Sequence, residues 1–252
     1  MSRVAIFVFG VVSYLIFFAV FLYSIGFIGG FLTPTLLDGE PRASLPTALA
    51  VDLGLLAAFA LQHSGMARPA FKRWWTRIVP QEAERSTYVL LSSLALALLC
   101  IYWEPIGGVV WSVTGAMRLT VIGLYLLGWA LLLYTTFLID HFDLFGLKQV
   151  WRRLGNKTYR APAFRTPTLY KVVRHPLYVG WLTIFWAAPT MTAAHLLFAL
   201  GCTAYILIAI RWEEHDLVVA FGNTYSDYQA RTPMLIPRLR AARAASSALK
   251  DA

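Results

Sequence analysis

The segment Arg174-His175-Pro176-Leu177-Tyr178-Val179-Gly180 joins a basic, irregular stretch to an apolar one, and the apolar stretch runs out again onto Glu213-Glu214. A guanidinium and an imidazole at one end and two carboxylates at the other can hold a charged ligand from both sides, provided the chain brings them together. Pro176 lacks a backbone N–H and has a fixed φ, which suits the first position of a helix. His175 is therefore expected as its cap, with the positive end of the helix beside Arg174, where an anion can bind. Leu177 to Trp212 spans 36 residues, enough for two helices of roughly 16 residues, each about 25 Å long, around a turn at Pro189-Thr190. Such a hairpin returns Glu213 to the level of His175.

Other ionisable residues gather at the same depth. Gln62-His63-Ser64 closes one apolar run, Asp140-His141-Phe142-Asp143 closes another, and His215 follows the glutamates. Ionisable groups at the edge of a span are costly and are functional candidates by default. His215 and Asp140 read more simply as interfacial residues that snorkel. Asp52 and His195 lie toward the opposite end of their runs and receive no catalytic role; Asp52 is expected to pair with a neighbouring helix.

The elements that position these groups follow from composition. The chain has 252 residues, 58% hydrophobic, 15% aromatic and only 14% charged, too apolar for an ordinary soluble domain. Four stretches reach the roughly 20 apolar residues that a helical span needs: Val4 to Phe31, Thr47 to Ala67, Ser86 to Trp103 and Leu119 to Ile139. The expected fold is all-α, a polytopic transmembrane bundle of four long spans plus a shorter two-helix hairpin. One domain is expected over 1–252, with the four-span bundle over 1–139 and the cofactor-binding loop, hairpin and interfacial helix over 140–240.

Cytoplasmic loops hold the excess of Lys and Arg. Placing the N-terminus inside assigns 20 of the 22 basic residues to the cytosolic side, leaving Arg42 and Arg118 outside. Both termini are thus expected in the cytosol. The formal charge of +9 is explained by topology and by attraction to anionic headgroups, so membrane lipids are the expected partner and nucleic acid is not. Arg68, Lys72 and Arg77 are expected to meet those headgroups. Cys100 and Cys202 lie inside apolar runs and form no Cys-x-x-Cys pair, so they read as packing residues, and the histidines lack close metal-ligand spacing. No metal is expected.

The loops Leu32 to Pro46 and Glu104 to Arg118 read as plain connectors. The segment Arg152 to Arg174 differs, being basic and interrupted by Gly155, Pro162 and Pro167 yet carrying Tyr159, Phe164 and Tyr170, the composition of a loop with something to hold. After Glu214, Leu217 to Phe221 reads as an interfacial helix stopped by Gly222, with Asn223 as the next cap. Ala241 to Ala252 is expected to fray. Gly-x-Gly-x-x-Gly and Gly-x-x-x-x-Gly-Lys patterns are missing, so neither a Rossmann unit nor a P-loop supplies nucleotide binding.

The order Tyr170, Arg174 to Gly180, Arg211, Glu213-Glu214, Leu217, Phe221-Gly222, Tyr225, Tyr228, Pro233 and Pro237 resembles the isoprenylcysteine carboxyl methyltransferase and phospholipid methyltransferase group of membrane enzymes. Ala60 to Ser64, Arg68 to Lys72, Glu84 to Tyr88 and His141 to Val150 are similar to the bacterial methanethiol S-methyltransferases, and with them the resemblance spans nearly the whole chain. It implies an enzyme of the bacterial inner membrane that uses S-adenosylmethionine to methylate a small volatile thiol, making dimethyl sulfide from methanethiol, with hydrogen sulfide as a second acceptor.

That donor carries a carboxylate, an ammonium, a ribose, an adenine and a sulfonium. Under the resemblance, Arg174, His175 and Pro176 form its cationic corner, Glu213 or Glu214 its anionic corner, and Tyr159, Tyr170, Tyr178 and Trp181 its aromatic walls, with Gln149 lining the pocket. A simple alkyl thiol is mostly protonated near neutral pH, with cysteine (pKa ~8.5) as a guide, so a base or a positive environment is needed. His63 and His141 are the candidates, with Asp143 orienting an imidazole. Two alternatives stay open: methylation of a lipid or isoprenylcysteine carboxylate, and a haem or electron-transfer protein using His63, His141 and His195.

Overall fold

The computed structural model describes residues 2–238; the 241–252 tail lies outside the described residues. In chain order the helices are α1 (Arg3–Gly29), α2 (Leu45–Ala67), α3 (Pro69–Trp75), α4 (Gln81–Tyr102), α5 (Gly115–Ile139), α6 (His141–Leu144), α7 (Leu147–Leu154), α8 (Pro176–Trp186), α9 (Ala193–Phe221) and α10 (Asn223–Arg231). Two short strands, β1 (Val109–Ser112) and β2 (Thr190–Thr192), pair antiparallel. Helices α1, α2, α4, α5 and α9 are long and apolar enough to cross a membrane. This is a multi-pass membrane protein. Its core is aromatic, with Phe27, Trp103, Trp129, Phe185 and Phe198 packed between the long helices.

The hairpin is present with unequal arms. Helix α8 has 11 residues and α9 has 29, about 16 Å against about 44 Å, rather than two arms of equal length. Ala187 leaves the helical region, Pro189 cannot extend a helix, and Thr190 to Thr192 leave the helix to pair with β1. The interfacial helix expected after Glu214 is the unbroken end of α9. Gly222, at φ 55° and ψ −133°, ends it and holds the cap position of α10, so Asn223 is the first residue of that helix and not its cap.

What seats α8 is a backbone-to-backbone approach to α5. A Cβ on Gly180 would lie 3.1 Å from the Leu132 nitrogen and 3.2 Å from the Gly128 oxygen, and one on Gly128 would lie 2.8 Å from Ile184. Small residues allow two helices in an apolar medium to pack this closely. Without that approach, His175 at the start of α8 would not reach α9.

The two loops read as plain connectors are built into the structure. Residues 109–112 become β1, and the Trp111 indole donates to the Ala188 carbonyl (3.2 Å). In the other loop, Asp38 accepts from Thr192 and lies 3.0 Å from Nδ1 of His195, whose Nε2 meets the Phe185 carbonyl at 3.0 Å. Asp52 is fully buried and accepts the Glu104 backbone N–H at 2.9 Å, which ties α2 to the end of α4. His195 and Asp52 both act as ties at this end of the bundle.

Candidate functional site

At the opposite end, Arg174, His175 and Glu214 form a closed clamp. Arg174 Nε donates to Glu214 Oε1 (2.7 Å), and Nη1 donates to the carbonyls of Gln229 (3.0 Å) and Thr232 (2.5 Å). His175 Nε2 meets the same Oε1 at 2.9 Å, and Gln229 donates to Oε2 at 2.7 Å. The backbone N–H groups of Arg174 and His175 donate to Pro233 and Met234. Glu214 is thus held on all sides, as a buried carboxylate must be. Pro176 opens α8 and His175 stands at its cap position without capping through its side chain. The cationic corner expected at Arg174 is neutralised from within by Glu214.

Glu213, one residue earlier, points elsewhere. Its side chain is 45% exposed, and the Tyr178 hydroxyl donates to Oε2 at 3.1 Å. Its charge acts on Tyr170 as well as Tyr178, and His175 Nδ1 lies 3.9 Å from the same Oε2. Burial first, and this charge second, push the Tyr170 hydroxyl well above the ordinary range. The Tyr170 carbonyl accepts from Tyr228 at 2.6 Å. Trp181, expected as a wall of the pocket, instead packs edge-on to Trp129 and stacks on Phe185 within the bundle.

A second group is made by the corner after α5. Asp140 breaks the helix at φ 134°, and its carboxylate accepts the Asp143 N–H (3.2 Å) and pairs with Lys148. Burial opposes ionisation of Asp140, but the Lys148 ammonium and the Asp143 N–H outweigh it and hold its pKa below the usual range. Gly146, at φ 87°, lets the corner lie on the start of α4, where a Cβ would stand 2.7 Å from the Ser86 hydroxyl and 2.8 Å from its nitrogen. Arg85 Nε then locks the corner through the Leu144 carbonyl at 2.8 Å.

This brings Asp143, Gln149 and Tyr159 together. Gln149 Nε2 donates to the Asp143 carbonyl (3.1 Å), and Tyr159 donates to Asp143 Oδ2 (3.0 Å). Burial first, then the Asp143 hydrogen bond, push the Tyr159 hydroxyl up to about 12. Asp143 Oδ1 and Gln149 Oε1 are buried without a hydrogen-bond partner among the described residues. Buried acceptors are normally satisfied by the chain, by water or by a ligand, so two orphans together in one cleft leave a place for a donor from outside the chain. Both residues line a cleft of about 540 Å³ with Arg85, Arg153, Lys157 and Lys72. Lys72, expected among headgroups, faces this cleft, and burial followed by the neighbouring Arg85 lowers its pKa.

The two histidines proposed as bases sit differently. His141 is 4% exposed; Nε2 meets the Tyr14 hydroxyl (2.9 Å), Nδ1 meets the Thr136 hydroxyl (2.8 Å), and Phe137 stacks on the ring at 4.4 Å. With both nitrogens engaged it ties α1 to α5, and burial lowers its pKa. His195 is likewise engaged at both nitrogens, so neither offers an axial ligand to a haem. His63 stacks on Phe59, with the Tyr88 hydroxyl 2.9 Å from Nε2 and the Ser92 hydroxyl 3.2 Å from Nδ1. It is linked to the cleft through Tyr88, whose ring lies under the Arg85 guanidinium at 5.4 Å.

Sequence reasoning did not single out Arg85, Tyr88, Ser92 or Gln229 as site residues. The first three had a signal, since polar residues spaced i, i+3 and i+7 share one face of an otherwise apolar helix.

Comparison with known proteins places this chain among named relatives. The chain is 51% identical over 242 residues to methanethiol S-methyltransferase 2 of Bradyrhizobium diazoefficiens, covering 96% of this chain and 93% of that protein. It is 48% identical over 238 residues to the methanethiol S-methyltransferase of Mycobacterium tuberculosis, covering 94% and 98%. A more distant similarity, 36% over 185 residues and about 70% of each chain, joins it to bovine nurim. No family model and no solved structure matches.

Proposed function

The chain belongs to the methanethiol S-methyltransferase family, and from that premise we propose that its inner-end cleft holds S-adenosylmethionine while the His63 and Tyr88 pair takes the proton from methanethiol. The protein is a methyltransferase that converts methanethiol to dimethyl sulfide. The observation that carries the reading of the cleft is the pair of orphaned acceptors on Asp143 and Gln149; Glu213, outside the residues that line the cleft, offers a half-exposed carboxylate at the same end of the bundle. The donor's ammonium, ribose hydroxyls and adenine amine are all hydrogen-bond donors, and the volume suits a ligand of that size.

With the donor in the cleft, Asp143 and Gln149 would accept from its hydroxyl or amine groups, Lys72, Arg85 and Lys157 would face its carboxylate, and Glu213 would hold the ammonium. Bound there, S-adenosylmethionine supplies a methyl group already activated by its sulfonium. The protein's remaining work is to align a sulfur nucleophile and favour its thiolate. We assign the ring proton of His63 to Nδ1, donated to Ser92, which leaves the Nε2 lone pair facing Tyr88. The thiol proton passes to the Tyr88 oxygen as the Tyr88 proton passes to Nε2. The clamp around Glu214 fixes the start of α8 and the end of α9, and so the distance between Glu213 and Tyr178.

The cleft end faces the cytosol and the membrane is the bacterial inner membrane, a reading supported by the 20 basic residues on this side against 2 on the other. Membranes carrying the protein, given methyl-labelled S-adenosylmethionine and methanethiol, are expected to release labelled dimethyl sulfide. Folded protein that binds S-adenosylhomocysteine yet yields no volatile label would reject the assignment. Label recovered in the lipid fraction would move the acceptor to a lipid or isoprenylcysteine carboxylate.

A further inference from the structure

A second hollow, of about 490 Å³, lies on the other side of the loop that follows α7. Its floor is the end of α5 and the start of α6, where Phe137, Ile139 and Phe142 are 55%, 43% and 52% exposed. Four cations line it: Lys148, Arg152, Arg160 and Arg165. Asp140 is the one carboxylate in that lining and is paired with Lys148. Among the described residues, no hydrogen bond or ion pair engages the guanidinium groups of Arg152, Arg160 or Arg165. Cations gathered over an apolar floor at the end of a membrane span match a molecule with an anionic head and an apolar tail.

We propose that this hollow is a binding site for an anionic phospholipid, the phosphate among Arg152, Arg160 and Arg165 and the acyl chain along Phe137 and Phe142. A free phosphate would leave the apolar floor uncovered, and a neutral lipid would leave the guanidinium groups unmatched. Ala161 and Pro162 line this hollow on one side of the loop and the cleft on the other. A lipid that fixes the loop here therefore also fixes one wall of the cleft. The lipid site stands on geometry alone; its effect on the methyl donor rests on the proposed function.

Purified full-length protein in nanodiscs of phosphatidylcholine, with or without phosphatidylglycerol, tests this by native mass spectrometry of retained lipid. Phosphatidylglycerol is expected to be retained in preference, and Arg160→Gln with Arg165→Gln, two exposed loop positions, to weaken retention roughly 30-fold. Equal retention of the two lipids, or a double variant that behaves as wild type, would overturn the site. Displacement of the lipid by excess inorganic phosphate would overturn the lipid in favour of a phosphate site. In the same discs, KM for S-adenosylmethionine is expected to fall several-fold with phosphatidylglycerol at unchanged kcat, and the double variant to lose that response. Preferential retention with no change in KM would overturn the coupling to the cleft. If no methyl transfer occurs at all, lipid retention still decides the site, so the two readings fail separately.

Discussion

Two regions at the same end of the bundle treat their polar groups in opposite ways. In the clamp, both oxygens of Glu214 are engaged by Arg174, His175 and Gln229. In the cleft, Asp143 and Gln149 each keep one buried oxygen unmatched, and Glu213, outside its lining, is half-exposed with the Tyr178 hydroxyl on Oε2 and His175 Nδ1 3.9 Å away. A buried polar group that is satisfied by its own chain contributes to the fold, and one left unsatisfied costs stability until something else satisfies it. Adjacent glutamates thus do different work. Glu214 holds the hairpin closed, and Glu213 is proposed to bind the donor's ammonium.

That contrast predicts separable failures, the largest on the catalytic side. His63→Gln is expected to lower kcat by ~10²–10⁴-fold with S-adenosylhomocysteine affinity unchanged. Because thiolate forms without a base once pH passes the thiol pKa, activity of the variant should climb toward wild type as pH rises; a uniform loss across pH would remove the proton-accepting role.

Arg174→Ala is the corresponding break in the clamp. It leaves a buried carboxylate short of its main partner and is expected to cost ~3–5 kcal/mol of unfolding free energy in micelles. A change within experimental error would mean that the clamp does not hold the hairpin. Glu213→Ala should do the reverse, weakening S-adenosylhomocysteine binding roughly 10- to 150-fold through loss of a charge-assisted hydrogen bond while the unfolding transition stays in place. Calorimetric titration reads the first quantity and thermal melting the second.

The smallest effect concerns His141, a histidine that belongs with the satisfied groups. Burial lowers its pKa in the folded state, so folding favours the neutral ring. Its contribution is complete above the unfolded pKa of ~6.5 and is lost as pH falls from there through the folded value. Stability of the wild type should therefore decline below about pH 6.5 more steeply than that of His141→Asn. Parallel curves for the two proteins would show that the ring is not what titrates.

Much of this organisation is legible in the chain itself, because long apolar runs and a proline at the start of a helix are local signals. The four first spans, the start of α8 at Pro176 and the return of Glu213 to the level of His175 all follow from them. What depends on contacts distant in sequence is not. The short arm of the hairpin results from pairing between residues 109–112 and 190–192, and the placement of Asp143 and Gln149 depends on Gly146 lying against Ser86. Nor does sequence say which glutamate faces Arg174, since neighbours on a helix differ by about 100° in direction and a small rotation exchanges them. Of the residues beside His63, Tyr88 lies in a segment that carries the family resemblance but is given no role by it, and Ser92 is marked only by its spacing on α4.

The central claim is that the unmatched acceptors of the cleft bind the methyl donor and the matched ones of the clamp hold the fold. Titrating S-adenosylhomocysteine into Gln149→Ala and Gln229→Ala, with a melting curve for each, tests it most directly. The account predicts weaker binding at an unchanged melting temperature for Gln149→Ala, and a lowered melting temperature with near-native affinity in the folded fraction for Gln229→Ala. Native affinity in Gln149→Ala, or a binding defect confined to Gln229→Ala, would contradict it.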